Sequence, residues 1–450
     1  VAAAAWAAAG SGRDRAAAEE GGDDVILPGV GGDDGVGGGR DAAFLLFTSG
    51  TSGKAKGVVI THAAAVCQAV AKVCKPVCVH RGTAFLSVVP LYHIGGISTS
   101  LAITAMGGTH VFVPPKLAAG PMAVPRGGPS ANLQALHTGV NTLVVVPTML
   151  AALCAEARGR RRRFPCVELI LVGGGSMTAI PELLASTRET FPKAKIVQTY
   201  ACTEAASSIT FAVIRGGDAD AAAPGSLAGT PVPHAEVRIR KLGEEYAAEE
   251  GPELGEIITR GPHTMPGYWR GPGSRLDASR VQDGWLYTGD LGYIDAHGNL
   301  YFCGRLSDSI KSGGENVNAL EVETLINEYQ PSRAGGDEAF RVLASAVVGA
   351  PDLRLGERVC AFVVVDDRYF QRATNAKGGG GATEAPYVES GAACRSLRSH
   401  LRARGLAAFK HPRSVFICSE LPKNSSGKVL KRVLRERLRR LAATSRRAKI

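Results

Sequence analysis

The stretch that decides the fold runs from residue 283 to residue 323 and reads DGWLYTGDLGYIDAHGNLYFCGRLSDSIKSGGENVNALEVE. In its first half, apolar and polar residues alternate around turn-forming segments at 288–290 and 295–299, which predicts a β-hairpin. In its second half, the flexible segment 312–316 leads into apolar residues at helical spacing. The stretch therefore predicts the end of one domain, a hinge, and the start of another.

Two charged residues in this stretch are candidates for nucleotide contacts. Asp290 lies behind a glycine at a strand-to-turn junction, where a carboxylate can accept hydrogen bonds from a vicinal diol such as a ribose. Arg305 offers donors to the same sugar or to a phosphate. The pair indicates a nucleotide site at the end of the first domain.

Composition and charge narrow the class of protein. The 450 residues, 45% of them hydrophobic, suffice for globular cores in about three domain-sized units. The net charge of +11 comes largely from residues 158–163 and the carboxyl-terminal region, without the interleaved aromatic residues of single-strand binders. We therefore expect small anionic substrates rather than nucleic acid.

The cysteines and the apolar runs point to neither a disulfide framework nor a membrane span. The ten cysteines contain no CxxC pair, and Cys74-x3-Cys78 with His80 is only a weak metal-site pattern, so reduced thiols are expected. Apolar runs fall short of the roughly 20 residues that cross a bilayer. The alanine-rich start lacks the basic segment of a secretory signal peptide.

A loop rich in glycine and hydroxyl residues, TSGTSGKAKG at 48–57, lies between a predicted buried strand at 44–47 and another at 58–60. Such a loop can hold phosphate, because glycines admit backbone N–H groups, hydroxyls donate and lysine neutralises charge. A Walker A motif is excluded, since Gly50 and Gly53 are too close and Ala55 follows Lys54. A generic glycine-serine turn is the alternative.

Three further motifs follow predicted strands. His93 comes after the strand at 85–89, glycines 173–175 after the strand at 169–172, and Glu204 after the strand at 196–199. In open α/β sheets, ligands bind at the carboxyl ends of the strands. Glu204 supplies the hard oxygen that Mg²⁺ prefers, whereas a lone histidine is often structural.

Together these motifs resemble the adenylate-forming superfamily of acyl-CoA synthetases, luciferases and peptide-synthetase adenylation domains. The resemblance lies in TSGTSGKAKG, in YACTE at 200–204, in TGD at 288–290, in GRLSDSIKSGGEN at 304–316 and in SSGK at 425–428. It implies an α/β fold with a large multi-lobed N-terminal domain and a small mobile α+β C-terminal domain. Since only residues 1–47 precede the phosphate loop, we expect the large domain to be truncated at its N-terminus.

The resemblance implies a role for each matching residue, and it implies ATP, Mg²⁺, CoA and a small carboxylic acid as cofactors and substrates. The catalytic set is Lys428, Thr203, Glu204 and His93, with Glu204 on the metal. The ATP-binding set is Thr48, Ser49, Gly50, Thr51, Ser52, Gly53, Lys56, Gly57, Gly174, Gly175, Tyr200, Thr203, Asp290 and Arg305. The CoA-binding set is Lys311, Ser312, Gly313 and Gly314, and the acyl pocket is lined by His93, Ser207 and Ser208.

The segments TEAASSITF at 203–211 and RGPHTMPGYW at 260–269 resemble the 2-succinylbenzoate–CoA ligases of menaquinone and phylloquinone synthesis, especially the plant and algal forms. Another aryl, fatty acyl or 4-coumarate CoA ligase is an alternative, and so is a catalytically silent ATP-binding protein. For Ser207 and Ser208, capping of the next turn is as good an interpretation as substrate contact. The resemblance suggests a chloroplast or a peroxisome as the location.

The domain organisation follows from the same motifs. Residues 1–40 are a low-complexity segment, 41–305 the AMP-binding large domain, and 306–450 the mobile domain. We predict a disordered insert near 367–394, which is rich in glycine, alanine and threonine. Residues 305–311 are the predicted hinge, with Ser307 or Asp308 as the pivot.

Overall fold

A computed structural model of the chain describes residues 41–49, 55–113, 130–178, 180–215, 225–243, 252–271, 274–330, 340–352, 354–375, 387–423 and 429–447. The chain divides into two compact units. The first extends to Arg240 and includes Glu256–Thr288 and Ile294–Tyr301. The second takes the chain from Phe302 onward, together with Gly289–Tyr293 and Lys241–Gly255.

The first unit is built on β-sheets. Its strands are β1 (Ala42–Ser49), β2 (Ala55–Thr61), β3 (Ala84–Ser87), β4 (Thr109–Phe112), β5 (Thr142–Val145), β6 (Leu169–Val172), β7 (Lys195–Cys202), β8 (Ser207–Ile214), β9 (Ser226–Pro231), β10 (Glu236–Lys241), β11 (Gly255–Arg260), β12 (Tyr268–Trp269), β13 (Val281–Gln282), β14 (Trp285–Ile294) and β15 (Leu300–Arg305). The large sheet has the order β10-β11-β14-β15-β9-β8-β7-β6-β5-β3-β4, and β1, β2 and β12 form a smaller sheet. The residues of β14 and β15 divide between the two units.

Strands β4, β3, β5, β6 and β7 are parallel, whereas β7, β8 and β9 pair in antiparallel fashion. The parallel strands are short apolar runs such as Leu169–Val172, whose four residues are all buried, as a sheet covered on both faces requires. The helices of this unit are α1 (His62–Val73), α2 (Ile94–Ala105), α3 (Ala131–Ala135), α4 (Pro147–Gly159) and α5 (Pro181–Thr190).

Local sequence signals explain most of these boundaries. Helix α1 begins at His62, because the Thr61 side chain accepts a hydrogen bond from the amide of Ala64. Helix α5 begins at Pro181, whose fixed φ suits the first helical turn, and its N-cap is Ile180. The strand predicted as buried at 44–47 is only partly so: Leu46 is buried, while Phe47 is 59% exposed and packs edge-on against Trp269 at 6.2 Å.

The central stretch forms the predicted hairpin, with β14 and β15 as neighbours. Its turn is held by Asp295, whose carboxylate accepts hydrogen bonds from the amides of His297 and Asn299 at 2.9 and 2.8 Å. After β15, a single 3-10 turn at Leu306–Asp308 leads into the next strand. The predicted hinge region thus has a defined short conformation.

The second unit contains a mixed sheet with helices, as expected for an α+β domain. Its strands are β16 (Ser309–Ser312), β17 (Glu315–Asn318), β18 (Val342–Asp352), β19 (Gly356–Val365), β20 (Tyr387–Glu389) and β21 (Ser414–Cys418), in the order β17-β16-β19-β21-β20 with β18 against β19. Its helices are α6 (Ala319–Asn327), α7 (Asp367–Asn375), α8 (Gly391–Ala403) and α9 (Lys431–Arg447). Across the described ranges, no helix is long and apolar enough to cross a membrane.

The expectation of disorder near 367–394 is wrong for much of that segment. Helix α7 occupies its start, and Tyr369 from that helix is buried against Phe340 with ring centroids 4.9 Å apart. Strand β20 and the start of α8 occupy its end. Composition predicted disorder because this segment has few apolar residues. Those few lie on the helix face that packs into the core, so they suffice to stabilise the helix. Residues 376–386 lie outside the described part of the chain.

Candidate functional site

The carboxyl ends of the parallel strands bring several predicted site residues to one edge of the large sheet. β3, β5, β6 and β7 run in the same direction, so the segments that follow them leave the sheet at the same edge. His93 follows β3, Gly174 and Gly175 follow β6, and Glu204 follows β7. This edge is where an open α/β sheet places its ligands.

Glu204 lies in a 3-10 turn, Thr203–Ala205, directly after β7. Its half-buried carboxylate accepts a hydrogen bond from the Tyr268 hydroxyl at 2.9 Å, and its backbone carbonyl accepts one from the amide of Met265. Burial raises the pKa of Tyr268, and the negative charge of Glu204 raises it further. The phenol therefore stays protonated at neutral pH and orients the carboxylate by donation.

Tyr268 also links Glu204 to the stem of the predicted phosphate loop. The Lys56 ammonium lies over the Tyr268 ring, 4.7 Å from its centroid. Strand β12 pairs with β2, placing Tyr268 opposite Val58, while Thr48 of β1 lies opposite Lys56. Of the predicted loop, the residues from Gly50 to Lys54 lie outside the described part of the chain. Lys56 and Gly57, which follow the loop in β2, are therefore connected to Glu204 through β12.

His93 caps helix α2, its Nδ1 accepting a hydrogen bond from the amide of Gly95 at 3.1 Å. With Nδ1 an acceptor, a neutral imidazole carries its proton on Nε2. Desolvation by neighbouring atoms lowers the pKa of His93, which favours that neutral form at pH 7. Gly96 is required in this turn, since a Cβ there would lie 2.4 Å from the carbonyl oxygen of Pro90.

The glycines after β6 leave bare backbone at the same edge. Gly174 and Gly175 are both exposed, and Gly174 has a φ of +74°, which favours glycine. A Cβ at Gly175 would come within 2.9 Å of Pro147. Tyr200, near the end of β7, is half-buried and packs against the apolar cluster that includes Ala205 and Ala206. This surface is open enough for a planar group to lie against the backbone.

Ser207 and Ser208 begin β8, directly after the Glu204 turn, and both are buried. The Ser98 hydroxyl of α2 donates to the Ser207 hydroxyl at 2.9 Å. Ser207 therefore connects the turn after Glu204 to the helix that His93 caps. Among the described residues, the buried Ser208 hydroxyl has no hydrogen-bond partner.

In the second unit, the two residues predicted to bind the ribose and a phosphate, Asp290 and Arg305, form an ion pair. Asp290 of β14 is 4% exposed, and its Oδ1 lies 3.2 Å from Nε of Arg305 at the end of β15. The cross-strand arrangement follows from the hairpin that the sequence predicts. The Arg305 side chain is 39% exposed, whereas that of Asp290 is 6% exposed.

The predicted CoA-binding segment forms a tight β-turn between β16 and β17. Lys311 and Ser312 end β16, and Gly313 and Gly314 have φ values of +68° and +92°. The amide of Gly313 donates to the carbonyl of Leu355 at 2.8 Å. Only glycine adopts such angles without strain, which explains the Gly-Gly sequence.

Lys428 lies outside the described residues, and the nearest described residues on either side of it are Lys423 and Val429. Lys423 and Val429 pair in antiparallel fashion. Helix α9 then begins at Lys431, whose ammonium lies 2.8 Å from Glu323 and 3.8 Å from Asp308.

The predicted pivot residue Asp308 is held by helix α9. Arg435 lies 2.6 Å from its carboxylate. Burial acts to raise the pKa of Asp308, but the charges of Lys431 and Arg435 outweigh it, so the pKa lies below its usual range. Burial raises the pKa of Glu323, and Lys431 opposes that shift.

Sequence reasoning missed two residues of this site, Tyr268 and Gln68. Tyr268 lies within the segment 260–269 quoted above, but nothing in its spacing connects it to Glu204. Gln68 is a buried polar residue in a largely apolar helix, and it bonds to the backbone after Glu204. Contacts over such sequence separations have no signal in a single sequence.

Comparisons with known proteins agree with this geometry. Residues 14–269 match the family model of AMP-binding enzymes, and residues 341–428 match that of the AMP-binding enzyme C-terminal domain. The first match begins inside the segment predicted to be of low complexity, and the second ends at Lys428.

Curated relatives share about a third of their residues with this chain. It is 32% identical over 415 residues to the 2-succinylbenzoate–CoA ligase, chloroplastic/peroxisomal, of Arabidopsis thaliana, covering 86% of this chain and 66% of that protein. It is also 32% identical over 401 residues to the 2-succinylbenzoate–CoA ligase of Bacillus cytotoxicus, covering 88% of this chain and 70% of that protein. The chain thus spans about two thirds of the length of the curated relatives it matches.

Solved structures show the same fold. The o-succinylbenzoate CoA synthetase of Bacillus subtilis, in complex with its acyl-adenylate intermediate, matches with a TM-score of 0.65 and 28% identity, over 88% of this chain and 69% of that one. ATP-bound MatB of Rhodopseudomonas palustris matches with a TM-score of 0.67 and 26% identity, over 89% and 68%.

Proposed function

The chain belongs to the AMP-binding enzyme family, and from that membership we propose that it is an AMP-forming ligase that joins 2-succinylbenzoate to CoA. The observation that carries the proposal is the contact of Glu204 with Tyr268 and of Tyr268 with Lys56. These contacts bring the Glu204 carboxylate and the Lys56 ammonium, from the stem of the phosphate loop, to the same Tyr268 side chain at this edge of the sheet. The names of the curated relatives support 2-succinylbenzoate as the acid.

The proposed reaction has two halves. A carboxylate oxygen of the acid attacks the α-phosphorus of ATP, forming the acyl-adenylate as the bond to pyrophosphate breaks. The CoA thiol, losing its proton, then attacks the acyl carbon, and AMP leaves with the electrons of the broken bond. In both halves the protein must stabilise negative charge in the transition state, because the first half joins two anions and the second expels one.

The residues of the large sheet supply the phosphate side of this chemistry. Lys56 neutralises phosphate charge, and Thr203 offers a hydroxyl to the α-phosphate. The Glu204 carboxylate fits a divalent cation, because it is half-buried, oriented by Tyr268 and has a second oxygen for a ligand. Bound there, Mg²⁺ would neutralise phosphate oxygens during the transfer.

The remaining roles follow the matched motifs. Asp290 accepts hydrogen bonds from the ribose, with Arg305 as its partner, and neutral His93 lines the acyl pocket. Lys428 bridges the oxygens of the acid and the phosphate, where each close pair of opposite charges contributes about 4 kcal/mol at an effective dielectric constant near 20. Residues 311–314 receive CoA. In keeping with the name of the Arabidopsis relative, we place the protein in a chloroplast or a peroxisome.

A substrate panel tests the proposal. We expect AMP release from ATP to require both CoA and an acid, with the highest kcat/KM for 2-succinylbenzoate among benzoate, 4-coumarate and a fatty acid. A higher value for another acid would reassign the substrate within the family. ATP binding in a calorimeter without AMP release from any acid would instead identify a silent nucleotide-binding protein.

A further inference from the structure

The backbone turn that follows Glu204 has an unusual conformation. Ala206 has a φ of +52° and Ser207 a φ of +134°, and both residues are buried. Neither is a glycine, so both lie in a region that a side chain disfavours. Such a conformation persists only where the surrounding structure holds it in place.

The group that holds this turn is the side-chain amide of Gln68 in α1, which is fully buried. Its Nε2 donates to the carbonyl of Ala205 at 3.0 Å and to the carbonyl of Ser208 at 2.8 Å. Its Oε1 accepts from the amide of Ser208 at 3.1 Å. One side chain therefore satisfies three backbone groups, on both sides of the two disfavoured residues.

A second residue of α1 fixes the orientation of that amide. The Lys72 ammonium, also buried, lies 3.4 Å from both the carbonyl and Oε1 of Gln68. The backbone amide of Ser208, which only donates, identifies Oε1 as the amide atom on this side, and Lys72 adds a second donor to it. The amide NH₂ then points to the two carbonyls of the turn.

We propose that Gln68 is a positioning residue that holds the 205–208 turn, keeping the Glu204 carboxylate on its phosphate side and the Ser207 hydroxyl on its acid side. The inference rests on the proposed function, in which Glu204 serves the Mg²⁺ and phosphate side. The Glu204 carboxylate has the Tyr268 hydroxyl as its partner, at a normal hydrogen-bond length of 2.9 Å. A shift of the turn would lengthen that bond and misplace the carboxylate.

The test replaces Gln68 by leucine, which has a similar size and no hydrogen-bonding groups. Binding of ATP is measured by calorimetry at several Mg²⁺ concentrations, and ATP–pyrophosphate exchange is measured with 2-succinylbenzoate. We expect Gln68→Leu to raise the Mg²⁺ concentration for half-maximal binding and exchange at least tenfold. Gln68→Glu keeps the acceptor for the Ser208 amide but places a carboxylate oxygen against the carbonyls of Ala205 and Ser208, so its effect should be at least as large.

The matched control is Asn141→Leu. The Asn141 amide also bridges backbone groups, accepting from Ala84 and donating to Gly82 at 2.8 Å each, but at the amino ends of β3 and β5. This variant should lose thermal stability without any change in Mg²⁺ dependence. If both Gln68 variants fold and bind ATP with the Mg²⁺ dependence of the wild type, the inference is wrong. Wild-type protein that binds ATP but shows no exchange would contradict the proposed function, while the binding titration would still decide the role of Gln68.

Discussion

Replacing Lys72 by methionine is expected to stabilise the protein, and to do so more at acidic than at alkaline pH. Lys72 is 1% exposed, and across the described residues no carboxylate lies within ion-pair distance of its ammonium. Burial lowers its pKa from 10.5 to about 7, with the neighbouring thiol of Cys67 opposing the shift. The folded state therefore disfavours the proton that the unfolded chain binds.

The sign and size of the effect follow from linkage. Because the unfolded chain binds more protons between about pH 7 and 10.5, this group makes the wild type more stable as the pH rises through that window. At 1.36 kcal/mol per pKa unit, this penalty, by which burial of Lys72 lowers the free energy of unfolding, is about 5 kcal/mol at pH 6.5 and about 3 kcal/mol at pH 8.5. Methionine removes the penalty but also the two long hydrogen bonds to Gln68, so the net gain is smaller, while the difference of about 2 kcal/mol between the two pH values remains.

Urea denaturation of both proteins at pH 6.5 and 8.5 measures that difference. His234 and His263 have pKa values lowered by burial to about 3 and 4, below this window; the Lys72 charge contributes to the lowering at His234, so the variant changes that contribution as well. Lys75→Met is the control, because Lys75 is exposed and its ammonium stays hydrated on folding. An equal gain for Lys72→Met at both pH values would show that the ammonium is not desolvated, and would refute the reasoning.

Three further predictions concern the proposed site. Tyr268→Phe removes the hydroxyl that orients Glu204 but keeps the ring under Lys56. Because a hydrogen bond to a charged group is lost, the KM for MgATP should rise about tenfold or more, with little change in thermal stability. An unchanged KM in pyrophosphate exchange would exclude the orienting role. Lys428→Ala should slow pyrophosphate exchange by roughly 10²-fold or more while keeping CoA transfer from a supplied acyl-adenylate, and persistence of exchange would remove Lys428 from the adenylation step. Asp308→Asn should destabilise the second unit by about 1–2 kcal/mol at pH 7, because the ion pairs with Arg435 and Lys431 are partly buried. The lowered pKa of Asp308 means that this contribution is lost as the pH falls through that pKa, so the urea midpoints of wild type and variant should converge only below the ordinary value of 3.8. A gap that stays constant down to that acidic range would contradict the ion-pair explanation.

The sequence by itself determined the family and the elements that local patterns encode. Alternating residues and turn signals in 283–305 predicted the β14–β15 hairpin, whereas the ion pair between Asp290 and Arg305 emerged from the structure. Apolar runs predicted the buried parallel strands, and their carboxyl ends predicted where His93 and Glu204 lie. These features were accessible because the periodicity of a strand and the chemistry of a turn act within a few residues.

Only the tertiary structure decided which distant side chains complete the site. Tyr268 reaches Glu204, and Gln68 reaches the turn beyond it, because strand β12 and helix α1 pack there, and neither contact has a local sequence signal. The segment near 367–394 shows the same limit, since a weakly apolar composition predicted disorder while the burial of Tyr369 stabilises a helix. The physical reason is that packing energy depends on the partner surface, which a single sequence does not specify.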